Sequence, residues 1–159
     1  MRANIRSVVR RARREDGYTL TEMLVVIAII ALIAAVLTPT LIGQLSRARA
    51  KSAQLQLDTV AAAVELFRSD VGRYPTTAEG LQALLTDPGG VESWTGPYLK
   101  DPKAVNDPWN RPLIYKLDAA SNTFVVQTLG ADGKPGGAGA DRDLISPANS
   151  PAAAAAATP

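Results

Sequence analysis

The chain has 159 residues and contains neither cysteine nor histidine, which excludes disulfides, thiol nucleophiles and sites ligated by either residue and removes the commonest general base of enzymes. Its net charge is +2 at pH 7, but residues 1–17 carry six arginines against two acids, a net +4, which leaves −2 for the remainder. Because the basicity is confined to a short leader, the composition argues against binding of nucleic acid once that leader is removed.

The first predicted element is an apolar helix. Residues 23–46 contain no charged side chain, and as a helix they would span ~36 Å, enough to cross a bilayer core of about 30 Å. The simplest interpretations are a cleavable secretory signal and a plain signal anchor. A secretory signal is cut after its apolar run, for example near residues 34–35, whereas this run continues to residues 41–42. The arginines before it favour a cytoplasmic N-terminus.

Three positions in this segment stand out. Gly17 ends the charged leader, and Glu22 lies at the edge of the apolar run. A carboxylate there is costly in lipid, so it indicates a functional site, the alternative being an interfacial residue that reaches the headgroups. Pro39 removes a helix hydrogen bond. Because the helical pattern resumes beyond it, we expect a kinked continuation rather than an end.

The helix then becomes amphipathic. Apolar side chains recur at alternating spacings of four and three residues, which predicts one buried stripe. The stripe consists of Ala53, Leu57, Val60, Val64, Phe67 and Val71. Gly72 predicts the end of the helix. Three basic residues at positions 47, 49 and 51 are interpreted as a solvated or headgroup-facing patch.

A short helix and a long loop follow. Thr76 and Glu79 have the spacing of a capping box, and the leucines at positions 81, 84 and 85 would seat a short helix on the core. Residues 87–112 contain five prolines together with Trp94, Tyr98 and Trp109. We expect these rings to pin the loop onto the domain. The alternative, an aromatic ligand-binding surface, lacks an accompanying set of polar side chains.

Two strands come next, over residues 113–117 and 123–129, with a hairpin turn at 118–122. The expected fold class is therefore α+β, a long helix packed on a small antiparallel sheet.

A glycine-rich loop follows the second strand. Asp132, Asp141 and Asp143 bracket it, and carboxylate and carbonyl oxygens are the ligands that Ca²⁺ prefers. The spacing is not that of an EF-hand. The residues alone leave two equal interpretations, a calcium site and a flexible loop with solvated acids.

The leader resembles the type IV prepilin signal through G-Y-T-L-T-E and the apolar helix after it. The resemblance implies cleavage between Gly17 and Tyr18 by a prepilin peptidase, methylation of the new Tyr18 amine, and pairing of Glu22 with the N-terminal amine of a neighbouring subunit. Tyr18 replaces the usual Phe, and Thr21 replaces an aliphatic residue.

The remainder resembles the major pseudopilins of type II secretion systems, through R-Y-P-T-T-x-E-G-L-x-A-L, G-P-Y-L-K, D-P-W-x-x-P and L-G-A-D-G-x-x-G-G-x-G-x-D-x-D-x-I. The resemblance implies a type IV pilin-like fold and a Ca²⁺ site. Its ligands would be the Leu129 carbonyl and the side chains of Asp132, Asp141 and Asp143, with backbone oxygens near Lys134 and Gly139 as weaker candidates. Ala138 stands where many relatives have an acid, and Asn110 where they have glycine.

The resulting division is a leader over 1–17, a membrane and assembly helix over 18–45, a periplasmic head over 46–145 and a disordered tail over 146–159. The expected function is structural, as the major subunit of a periplasmic filament that drives export of folded proteins; it is anchored in the bacterial inner membrane by a single pass. Expected partners are its own copies, the peptidase that also methylates, minor pseudopilins, and the assembly platform and ATPase. The alternatives are a type IV pilus subunit and a signal-anchored periplasmic enzyme or binding protein.

Overall fold

The structure is a computed structural model that describes residues 17–148. Most of the predicted leader and residues 149–159 of the predicted tail lie outside the described residues. The chain divides into two compact units, Met1–Thr40 and Leu41–Pro159.

One long helix, α1, covers Leu20–Val71 and contributes residues to both units. The helix continues past Pro39, as predicted. It ends at Val71 because Gly72 adopts a left-handed conformation with a φ of 81°, which glycine accepts at no steric cost. The Gly72 amide still donates to the Arg68 carbonyl over 2.8 Å. The predicted stop at Gly72 is therefore confirmed.

In the first unit, the apolar part of α1 has no side chain packed against the protein. Every residue from 17 to 42 is exposed. Among the described residues, α1 is the one helix whose length and composition would let it cross a membrane. A helix that is apolar on all sides is typical of a segment surrounded by lipid or by other helices.

In the second unit, one face of α1 forms half of the core. Its buried residues are Ala53, Leu57, Val60, Ala61, Ala63, Val64 and Phe67. The predicted stripe is thus confirmed, with Val71 only half-buried. Phe124, Val126 and Leu144 of the sheet belong to the same hydrophobic cluster. Burial of side chains as large as Leu57 or Phe67 contributes about 2–3 kcal/mol each.

The sheet has three antiparallel strands in the order β1-β2-β3. The strands are β1 Ile114–Asp118, β2 Thr123–Thr128 and β3 Leu144–Ser146. The hairpin was predicted to within one residue, but β3 was missed. Ser146, assigned by the sequence to a disordered tail, is instead buried and pairs with Val126. That boundary was wrong because three residues after a glycine-rich loop carry no readable alternation.

The segment after α1 follows the predicted capping box. The Glu79 amide donates to Thr76 Oγ1 over 3.2 Å, and the Thr76 amide donates to Glu79 Oε2 over 2.7 Å. The short helix beyond it, Gly80–Leu84, is a 3-10 helix. A second 3-10 helix covers Pro102–Val105 within the long loop.

The aromatic residues of the long loop pack against the domain, as predicted. The Trp94 indole donates to the Ala83 carbonyl over 2.9 Å, and the Tyr98 hydroxyl donates to Asp70 over 3.0 Å. Both rings, together with Trp109, are partly buried against the core. Asn110 adopts a φ of 63°, the left-handed conformation that asparagine tolerates.

Candidate functional sites

The predicted processing and assembly residues lie at the start of α1. Gly17 and Tyr18 precede the helix, and the Tyr18 side chain is 79% exposed. Thr19 Oγ1 accepts a hydrogen bond of 3.1 Å from the Glu22 amide, so Thr19 caps the helix. The exposed Glu22 carboxylate lies in the first turn, where the helix dipole favours a negative charge. Its pairing with a neighbouring subunit stays a prediction.

The glycine-rich loop, residues 129–143, is held by its own backbone. The Gly133 amide donates to the Leu129 carbonyl over 3.1 Å, and the Ala131 amide donates to the Ala140 carbonyl over 2.9 Å. The second of these bonds joins the two ends of the loop. The loop backbone is therefore bonded to itself both within its first turn and between its two ends.

Two of the glycines are required by close approach of the backbone. A Cβ atom at Gly130 would collide with the Asp141 carbonyl, and one at Gly137 would lie 2.6 Å from the same oxygen. Their φ angles are 61° and 90°, a region that residues with a Cβ rarely enter. The density of glycine therefore reflects a chain that folds tightly back on itself.

The three predicted aspartates occupy different positions. Asp132 and Asp141 are exposed, and Asp132 accepts from the Lys134 amide over 3.1 Å. Asp143 is half-buried, and its Oδ2 accepts from the Gly136 amide over 3.0 Å. Its Oδ1 is buried and has no hydrogen-bond partner among the described residues. A buried carboxylate oxygen without a donor is costly.

The structure does not bring all three carboxylates together. Within residues 17–148, no group of three or more acidic side chains is close enough to hold a metal ion. The predicted Leu129 carbonyl is engaged by the Gly133 amide, although a carbonyl has a second lone pair to offer. The predicted ligand set is therefore not assembled here, and of the three predicted aspartates Asp143 is the one with a buried oxygen that lacks a donor among the described residues.

The sequence interpretation missed a charged pair beside this loop, which joins a buried aspartate to a half-buried arginine. Asp107 has a side chain that is 2% exposed, and its Oδ2 lies 3.0 Å from Arg111 Nη2. Asp107 also accepts from the Thr128 hydroxyl of β2 over 2.7 Å. The sequence D-P-W-N-R-P was the available signal. An aspartate can accept hydrogen bonds from the backbone amides of the second and fourth residues after it.

Comparisons with known proteins identify the family of this chain. The family model "Type II secretion system (T2SS), protein G" matches residues 40–147, and the prokaryotic N-terminal methylation motif matches residues 12–38. The type II secretion system core protein G of Xanthomonas campestris is 35% identical over 141 residues, covering 87% of this chain and 96% of that protein. The type II secretion system core protein G of Pseudomonas aeruginosa is also 35% identical, and the match covers 83% of this chain and 94% of that protein.

A solved structure supports the fold. The major pseudopilin from the type 2 secretion system of enterohaemorrhagic Escherichia coli aligns with a TM-score of 0.50 at 23% identity, covering 68% of this chain and 94% of that one. The predicted α+β, type IV pilin-like fold is therefore confirmed. Because the protein G model covers more than half of the residues and the relatives match over nearly their full length, the chain belongs to the type II secretion system protein G family.

Proposed function

We propose that this chain is the major repeating subunit of a pseudopilus, polymerised in the periplasm to drive folded proteins across the outer membrane. The proposal rests on two family matches that occur in the same chain. The methylation motif matches residues 12–38, and the protein G family matches residues 40–147. Membership of this family makes the chain a structural subunit of a secretion system and not an enzyme. It also favours the pseudopilus over the type IV pilus considered above.

Maturation would occur between Gly17 and Tyr18, followed by methylation of the Tyr18 amine. Two observations support this position. The methylation motif spans both residues, and neither lies inside α1, which begins at Leu20. A peptidase needs an accessible bond outside regular structure, and residues 17–19 are exposed and precede α1.

Glu22 would set the register between neighbouring copies. Its carboxylate is exposed at the start of a long apolar stretch, so it would be isolated among apolar side chains once α1 packs among other helices. A buried carboxylate without a partner is strongly destabilising, by roughly 3–5 kcal/mol. The Tyr18 amine of an adjacent copy would satisfy it, and other alignments would leave both charges unpaired.

We further propose that Ca²⁺ binds the glycine-rich loop, with Asp143 as the central ligand. The support is the buried Asp143 Oδ1 that has no donor within the described residues. Asp132, Asp141 and the Leu129 carbonyl would complete the site after local movement, since Asp132 and Asp141 are exposed. When bound, the ion would hold the two ends of the loop together by binding oxygen atoms from both.

The membrane topology and partners follow from the same function. The chain is membrane-anchored through α1; the arginine-rich leader would stay in the cytoplasm and the second unit would be periplasmic. Filament growth would require the prepilin peptidase, minor pseudopilins, the inner-membrane platform and its ATPase. The last is supplied by another protein, since this sequence has no nucleotide-binding motif. Nucleic acid would not be a partner.

A complementation experiment tests the function. In cells that lack this gene, Glu22→Ala should be processed to the mature length yet form no filaments, and exported proteins should accumulate in the periplasm. Glu92→Ala, which changes an exposed acid of the long loop, is the matched control and should restore export. Normal filaments and export with Glu22→Ala would refute the assembly role of Glu22, and normal export without the gene would refute the function itself.

A further inference from the structure

The guanidinium of Arg111 lies between the long loop and the glycine-rich loop. Its Nε and Nη2 donate to Asp107 Oδ2 over 3.2 and 3.0 Å. Its Cζ also lies 5.4 Å from the centre of the Trp109 ring. Arginine keeps its charge at every physiological pH and presents its donors in a rigid fork, so it can bond two partners in fixed directions.

The carboxylate that holds Arg111 is itself immobilised. Asp107 Oδ1 accepts from the backbone amides of Trp109 and Arg111 over 3.0 and 2.8 Å. Its Oδ2 accepts from the Thr128 hydroxyl at the end of β2. Asp107 is buried, whereas the Arg111 side chain is 33% exposed, so movement of Arg111 would leave the buried Asp107 carboxylate without its cation. Arg111 is therefore anchored to the sheet through Asp107.

The other side of the guanidinium faces the glycine-rich loop. Arg111 Nη2 donates to the Gly130 carbonyl. Arg111 Nη1 occupies the space that a side chain at Gly133 would need, because a Cβ atom there would collide with it. The first part of the loop, residues 129–133, thus folds around the guanidinium, and the Gly133 amide closes the turn on the Leu129 carbonyl.

We propose that Arg111 is a positioning residue that fixes residues 129–133 of the glycine-rich loop independently of any bound metal. The second part of the loop has a different anchor, the Asp143 carboxylate, which accepts from the Gly136 amide. The loop is consequently organised by two separate charges. One of them is a permanent cation supplied by the chain itself.

Backbone amide exchange of the full-length protein in detergent micelles, with a chelator present, tests this inference. Arg111→Gln should speed exchange of the Ala131 and Gly133 amides by about tenfold or more, while amides of the β1–β2 ladder change by less than about twofold. Arg142→Gln, an exposed arginine of the same loop, is the matched control and should change neither set. Equal acceleration in the loop and the ladder, or none in the loop, would overturn the proposal.

A second variant keeps the test decisive if Arg111→Gln does not fold. Gly133→Ala would displace the guanidinium, whereas Gly139→Ala has nearly the same φ, 65° against 69°, and open space around its Cβ. Gly133→Ala should accelerate exchange at Ala131 well beyond Gly139→Ala. If Arg111→Gln does fold, the acceleration in the double variant should be less than the product of the two single effects. Equal acceleration by the two alanines would contradict the proposal. Neither calcium nor filament assembly enters these measurements, so they can fail separately from the proposed function.

Discussion

Ser146 Oγ donates a hydrogen bond of 2.7 Å to Asp58 Oδ1 and so joins β3 to the long helix across 88 residues of sequence. Asp58 also accepts from Gln54 Nε2 over 3.1 Å, which holds the carboxylate in place. Ser146 is 4% exposed. The third strand is therefore fastened to the sheet by backbone pairing and to α1 by a side chain.

Removing this bond should destabilise the second unit. Ser146→Ala keeps the backbone pairing of position 146 with Val126 but removes the hydroxyl, so we expect the free energy of unfolding to fall by about 1 kcal/mol. Chemical denaturation followed by tryptophan fluorescence measures the change. Ser93→Ala, at an exposed position of the long loop, should have almost no effect.

A stop after Ile145 should destabilise the protein more than a stop after Ala148. Equal effects of the two truncations would contradict a structural role for Ser146.

The mature protein should begin with a methylated Tyr18. Cleavage after Gly17 exposes an amine that lies before the first turn of α1, and methylation adds to its mass without changing its charge. Mass spectrometry of the N-terminal peptide from membranes tests this prediction. A mature chain that begins near residue 36 would contradict it and would indicate a secretory signal.

Chelation should lower the melting temperature of the full-length protein in detergent, and added Ca²⁺ should restore it. A ligand that binds only the folded state stabilises that state in proportion to the logarithm of its concentration over the dissociation constant. Asp143→Asn should abolish the response to Ca²⁺, because it replaces the carboxylate whose Oδ1 is buried without a donor with a neutral amide. Glu92→Gln is the control and should respond normally. A melting temperature that is the same with and without Ca²⁺ would remove the calcium proposal.

The Glu79 carboxylate of the capping box should make the stability of the folded protein sensitive to acid. The Arg73 guanidinium hydrogen-bonds Glu79 and, with the Thr76 amide and hydroxyl, lowers the pKa of that carboxyl from 4.5 to about 2. A lowered pKa in the folded state means that the stabilisation is complete above pH 4.5 and is lost as the pH falls towards 2. Because the Arg73 side chain is 42% exposed, water screens the pair and the contribution is only about 1 kcal/mol.

Glu79→Gln should therefore flatten the fall in unfolding free energy between pH 5 and pH 2. Denaturation curves at a series of pH values measure it. Glu92→Gln should leave the slope as in the parent chain. An unchanged slope in Glu79→Gln would show that other carboxylates cause the acid sensitivity.

The elements that could be predicted are those with a local signal. The stripe from Ala53 to Phe67 has helical spacing, and Gly72 ends the helix as its φ of 81° requires. The Thr76–Glu79 box depends on residues only three apart, and the bonds between them are present. Each of these features is decided by neighbours in the chain, so a pattern in the sequence is sufficient to find it.

The features that were missed depend on distant contacts. β3 is three residues long and becomes a strand only because the glycine-rich loop returns the chain to β2. In the sequence, Asp107 is one more acidic residue of a loop. In the structure it is buried, accepts a hydrogen bond from Thr128 and pairs with Arg111. Likewise, the sequence shows three aspartates around the loop but not that Asp143 alone has a buried, unbonded oxygen. Long-range folding decides which acid is shielded from water.

The exposure of residues 17–42 on every side has a thermodynamic consequence. For an apolar side chain, hydrocarbon tails and neighbouring helices are almost equivalent solvents, so there is little hydrophobic force to move it from one to the other. In the proposed assembly, moving this segment from a bilayer into a filament would therefore be close to isoenergetic for its leucines and isoleucines. The direction of that transfer would depend on the few polar atoms at its start, namely the Glu22 carboxylate and the Tyr18 amine that we propose as its partner.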